Sequence, residues 1–136
     1  MANKVKGKSP KGGKNIKPPN IPVSTDSLVP TFCLEHLQSD YCLMRCEKDE
    51  KTAFADTLYK LSRSTWGQLL QRHKHKGGYE KIPQRAIKAA IPPIVSPDSN
   101  IYVFRFHELK PMVGIREGSL FRILWLDRDF TLYDHG

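Results

Sequence analysis

Apolar and polar positions alternate through the last third of the chain. Residues 101–107 (IYVFRFH), 112–116 (MVGIR), 120–126 (LFRILWL) and 130–135 (FTLYDH) read as consecutive strands. The connectors between them are too short for a parallel crossover, which predicts a four-stranded antiparallel meander. Upstream the period changes. Phe54, Leu58 and Leu61 recur at helical spacing over residues 47–61, behind a first turn rich in acid (Glu47, Asp49, Glu50) that complements the helix dipole. Ser64 or Thr65 caps a second expected helix over 65–72, which buries Trp66, Leu69 and Leu70 and stops at Gly77-Gly78.

Residues 31–37 have near-alternate apolar positions and suit a strand, and 41–44 read as a second short extended piece. Between helices and meander, residues 82–98 hold four prolines; 87–90 could pair as a strand, but Pro92 and Pro93 end it. The expected architecture is α+β. An N-terminal strand and two helices pack on one face of the C-terminal four-stranded sheet, in a single domain over 31–136.

Composition sets off the first 30 residues. They contain six lysines, one acid (Asp26) and no aromatic residue, so they are expected to form a disordered basic arm. The arm carries +5 of the formal +8, leaving +3 on the remainder. A basic chain favours phosphate- or carboxylate-rich partners, and the arm would tether it to RNA, DNA or ribosome or simply keep it soluble. Another dense positive stretch spans 60–88, with eight Lys or Arg against Glu80. No apolar run approaches bilayer length, and no hydrophobic segment follows the N-terminal lysines as in a secretory signal. With three cysteines, an odd number, a cytoplasmic protein with reduced thiols and no membrane partner is expected.

Strand alternation then assigns faces. One register collects Tyr102, Phe104, Phe106, Val113, Ile115, Phe121, Ile123, Trp125, Phe130 and Leu132 on the side where the helices pack. The other collects Arg105, His107, Met112, Gly114, Arg116, Arg122, Leu124, Thr131, Tyr133 and His135, which an antiparallel sheet would leave in solvent. Cleavage of RNA at a 2′-hydroxyl needs a base, an acid for the leaving oxygen and cations for the phosphorane. His and Tyr suit the first two roles and Arg the third. A solvated face with long side chains lying over apolar surface has the same pattern, because alternation reports sidedness and not convergence.

Two helices followed by a basic meander ending in Tyr and His resemble the RelE/YoeB/HigB-like toxins of bacterial toxin–antitoxin systems. The segments that carry the likeness are DEKTAFADTLYKLSRSTWGQLLQ and FRFHELKPMVGIREGSLFRILWLDRDFTLYDHG. The resemblance implies a RelE-like fold, a cofactor-independent mRNA endoribonuclease acting on the ribosome, and a protein antitoxin that covers the site. It places catalysis on Tyr133, His135 and Arg116, with RNA contacts at Arg105, His107 and Arg122 and a phosphate contact at Lys110. The basic arm, the extended segment before the helices and the Pro-rich connection depart from that pattern. The ending LWLDRDFTLYDHG also resembles the tail of small bacterial proteins that have no assigned function.

The same Arg face and arm equally suit a non-catalytic protein that holds RNA or an acidic protein partner. Cys33, His36, Cys42 and Cys46 have ligand-like spacing, but no knuckle turn separates them, and small buried thiols are the simpler reading. No metal is therefore assigned. His73 and His75 lie among lysines, where positive charge disfavours a metal.

Overall fold

A computed structural model of the chain describes residues 24–73 and 77–135. The architecture is α+β, with a five-stranded mixed sheet and two helices. The strands are β1 (Thr31–Cys33), β2 (Glu80–Ile82), β3 (Ile101–His107), β4 (Lys110–Glu117) and β5 (Leu120–Leu126). Their order across the sheet is β1-β5-β4-β3-β2. β2 to β5 pair antiparallel, whereas β1 adds to β5 in parallel, from Thr31↔Leu120 to Cys33↔Arg122. The N-terminal strand therefore extends the sheet rather than covering it.

Both helices form where their signals lie. α1 (Lys48–Leu61) has Glu47 as its N-cap, and Glu50 returns the capping-box hydrogen bond at 2.6 Å. α2 (Trp66–Leu70) is capped by Thr65 and Gln68 in the same reciprocal way. With five residues, α2 owes its place to Trp66 and Leu69, both fully buried, rather than to intrinsic helicity. Residues 41–44 are not extended: 3-10 turns at Ser39–Tyr41 and Leu43–Arg45 lead into α1.

The expected strand over 130–135 does not form either. The buried Asp127 carboxylate accepts hydrogen bonds from the backbone N–H of Thr131 (2.9 Å) and Leu132 (3.0 Å). Phe130 takes a left-handed φ of 58°, and the Leu132 carbonyl accepts from Lys88 N–H. These bonds curl the segment and bury the adjacent residues Leu132 and Tyr133 together, which a strand would separate. Residues 87–90 also form no strand; the edge place belongs to Glu80–Ile82.

Register reverses part of the face assignment. The β3–β4 hairpin has a two-residue loop, Glu108-Leu109, with His107 facing Lys110. A bulge between Arg105 and His107 then shifts the register by one, so Tyr102 faces Gly114 and Phe104 faces Met112. Met112 thus shares the helix side with Phe104, while Val113 and Ile115 point to the other side, since a one-residue change exchanges faces. A bulge in the β4–β5 pair has a similar effect. Gly114 pairs with Ile123 and Val113 with Trp125, leaving Leu124 as the extra residue and carrying Trp125 to the side opposite Ile123. Gly114 sits where an added Cβ would lie 1.9 Å from the Arg122 carbonyl oxygen, so no other residue fits there.

Both faces of the sheet are consequently buried. Phe54, Leu61, Trp66, Leu69, Phe104, Phe106, Met112, Phe121 and Ile123 form one core beneath the helices. On the other side Val103, Val113, Ile115, Leu124 and Trp125 are covered by Ile87 and Val95 of the Pro-rich connection and by Leu132 and Tyr133. The open solvated face expected of the meander is absent because that connection has enough apolar residues to close it.

Residues 24–30, counted with the basic arm by composition, are docked. Ser24 caps a 3-10 turn at Thr25–Ser27, Asp26 pairs with Arg116, and the Leu28 carbonyl accepts from Trp66 N–H. The arm's six lysines lie outside the described residues.

Candidate functional site

The side chains expected to share one face divide among separate places. Arg116 pairs across the sheet with Phe121, which puts it on the helix side. There its guanidinium lies 4.2 Å from the Trp66 ring centroid and bonds Asp26 (2.7 Å) and Thr25 (2.9 Å). It fastens the N-terminal segment and does not meet Tyr133. Arg122 pairs with Ile115 on the opposite side, with Nε 2.9 Å from Glu117 and Nη1 3.7 Å from Cys33 Sγ. His107 reaches Asp49 in the first turn of α1, at 3.3 Å.

Lys110 is also committed. Its Nζ donates to Glu50 at 2.6 Å, and Arg128 Nε donates to the other oxygen of the same carboxylate at 2.6 Å. Glu50 is 2% exposed. Burial alone would raise its pKa, but the hydrogen bonds from Lys110, Glu47 N–H and Arg128 outweigh it and hold the carboxyl at about 2. This triad ties α1 to β4 and to the turn after β5, and it engages Lys110, the residue expected at a phosphate, with Glu50.

Three of the expected residues do converge. Arg105 leaves β3 on the side away from the helices, and its Nη1 lies 3.4 Å from the Tyr133 hydroxyl. The Tyr133 and His135 rings stack with centroids 4.0 Å apart, and Phe130 meets His135 edge-on at 5.2 Å. His135 Nε2 is 3.4 Å from the buried Asp127 carboxylate. A cavity of about 170 Å³ lies alongside, lined by Arg105, Leu109, Phe130 and His135.

This rim is built by the curl of residues 127–135. Asp127 folds the chain back through two backbone N–H groups and then meets His135, so one carboxylate positions both the segment and the imidazole. Burial pushes the Tyr133 hydroxyl pKa up against the opposing pull of Arg105, so the phenol stays protonated and able to donate. Arg105 is 13% exposed and donates to Glu80 at 2.7 Å and to the Leu109 carbonyl at 3.0 Å. Its Nε is buried without a partner. The arrangement places a guanidinium and an imidazole at the opening, the imidazole next to a carboxylate, with the protonated phenol buried behind them.

Sequence reading missed Asp127 and Glu80 as members of this group. Asp127 sat in an Asp-Arg-Asp turn signal, and Glu80 was the lone acid of a basic stretch, a clue that it balances a cation. The cysteine cluster does not assemble. Cys33 Sγ meets Arg122, and Cys46 Sγ points to the Cys42 carbonyl. Among the described residues no group of three or more His, Cys, Asp or Glu is placed to hold a metal ion. Nor is any helix among them long and apolar enough to cross a membrane. No family model, curated protein or solved structure matches the chain.

Proposed function

We propose that the chain acts on RNA as a toxin-like endoribonuclease, with its chemistry at the Arg105–Tyr133–His135 rim. The observation that carries this reading is the pairing of His135 with the buried Asp127 beside the stacked, protonated Tyr133. In this proposal His135 takes the proton of the 2′-hydroxyl, Tyr133 donates to the leaving 5′ oxygen and Arg105 faces the developing phosphorane. The site is smaller than the toxin resemblance implies, without Arg116, Arg122, His107 or Lys110. An antitoxin in this scheme covers the curl of residues 127–135.

A second reading is non-catalytic binding of RNA or of an acidic protein. It is favoured by the 2.7 Å bond from Arg105 to Glu80, which offsets the guanidinium at the rim. Phosphorane stabilisation calls for a cation that is not already neutralised.

Expression of wild type, Tyr133→Phe and His135→Ala, with growth curves and transcriptome-wide mapping of mRNA 5′ ends, separates the two. Cleavage predicts toxicity and new 5′ ends with wild type, and loss of both with His135→Ala. A harmless wild type with intact mRNA sinks the nuclease reading. Binding is then measured directly as RNA affinity against salt; affinity indifferent to salt removes nucleic acid as the partner.

A further inference from the structure

β2 covers the outer edge of β3 only as far as Val103, because Glu80↔Val103 is the last pair. Beyond it, from Phe104 to His107, the edge turns to α1, where the Thr57 hydroxyl donates to the Phe106 carbonyl at 2.9 Å. The gap between α1, the turn after α2 and this bare edge is a cavity of about 320 Å³, at the small end of ligand pockets. Its floor is Leu61 and Phe104, both buried. Lys60, Arg72 and Arg105 also line it, with Thr57, Gly77 and Gly78 completing the wall and no acid among the lining residues.

Lys60 and Arg72 come from different elements, and Arg72 is held in place. Arg72 Nη2 donates to Ser64 Oγ, and its Nη1 lies 3.6 Å from where a Gly77 Cβ would stand. Gly77 has a φ of +87°, and an added Cβ on Gly78 would lie 2.3 Å from the Arg72 carbonyl oxygen. Both glycines lie against Arg72 and add no side chain of their own beside it. Neither Lys60 nor Arg72 has an ion-pair partner among the described residues. Arg105 borders the cavity from β3, but its guanidinium is turned to the other side of the sheet, on Glu80 and the Leu109 carbonyl. Like charges gathered beside a low-dielectric floor repel, and a bound anion relieves them.

We propose that this cavity binds a phosphate monoester on a small planar or apolar group, of the nucleoside monophosphate type. The phosphate sits between Lys60 and Arg72, and the organic part lies against Leu61 and Phe104. Such a group comes either as a free mononucleotide or as the 5′-phosphorylated end of an RNA. The proposal does not depend on cleavage at His135.

The test is calorimetric titration of the full chain, and of its His135→Ala variant, with AMP, adenosine and short RNAs bearing a 5′-phosphate or a 5′-hydroxyl. AMP is expected to bind at least about tenfold more tightly than adenosine, since charge-assisted bonds to the phosphate carry the affinity. Lys60→Gln should weaken AMP about fivefold or more, whereas Lys81→Gln, an exposed control outside the cavity, should not. Both lysines are exposed, so neither change threatens the fold. RNA with a 5′-phosphate binding more tightly than AMP identifies an RNA end as the ligand; AMP binding as tightly identifies the free nucleotide. Equal affinity for AMP and adenosine, no binding of either phosphate form, or equal effects of Lys60→Gln and Lys81→Gln overturns the proposal. Retention of AMP binding by His135→Ala keeps this outcome separate from the nuclease reading.

Discussion

Replacing Glu50 with Gln removes the charge from the junction of α1, β4 and the turn after β5 while nearly preserving its shape. The carboxylate titrates at about 2 instead of an ordinary 4.5. At roughly 1.4 kcal/mol per tenfold change in acidity, that depression corresponds to about 3 kcal/mol of stability near neutral pH. Lys110 and Arg128 are 22% and 25% exposed, so solvent screening trims the figure to about 2–3 kcal/mol. The sign follows from the depressed value. The contribution is complete above pH 4.5 and is lost as pH falls toward 2, where the folded protein also takes up the proton. Urea denaturation of wild type and Glu50→Gln across pH 2 to 7 measures the difference directly. The gap should be about 2–3 kcal/mol at pH 6–7, equivalent to about 10 °C in Tm, and should close as pH approaches 2. A gap that stays constant with pH would mean that shape, not charge, holds the junction. One below about 0.5 kcal/mol at pH 7 would remove the triad as a source of stability.

Other outcomes follow from particular contacts. Gly114→Ala drives a methyl group into the Arg122 carbonyl and should cost about 3 kcal/mol or abolish folding, read as the soluble yield and the urea midpoint. Asp127→Ala removes the acceptor for Thr131 and Leu132 N–H and should cost about 3 kcal/mol. Amide exchange should then accelerate at Lys88, Thr131 and Leu132 before the rest of the sheet; unchanged protection there would refute the role given to Asp127. Arg116→Ala should cost about 1–2 kcal/mol and shift Trp66 emission, with Lys recovering less than half because it lacks the planar fork.

Local chemistry made much of the chain readable in advance. Acidic first-turn residues and Phe54, Leu58 and Leu61 marked α1 within a residue, and Ser64 or Thr65 marked the start of α2, because capping and period act over one or two turns. β3 and β5 were legible for the same reason, being uninterrupted alternating runs.

Placements that depend on distant partners were not legible. β1 begins where the strand over 31–37 was expected, but its three-residue length and its parallel place in the sheet depend on the edge that β5 offers. β2 owes its place to the edge of β3 in the same way. Residues 130–135 alternate like a strand, yet Asp127 competes successfully for their N–H groups.

The candidate site shows the same division. Tyr133, His135 and Arg105 could be named from residue type, but their convergence rests on the curl that Asp127 imposes. Arg116 and Lys110 looked equally available and are instead bound to Asp26 and Glu50. What the sequence by itself determined is therefore the helices, the long strands and the kinds of chemistry present. The tertiary structure decided which face each strand residue joined. Two bulges, one between Arg105 and His107 and one opposite Val113 and Gly114, set the register, and each single-residue shift exchanges the two sides of the sheet.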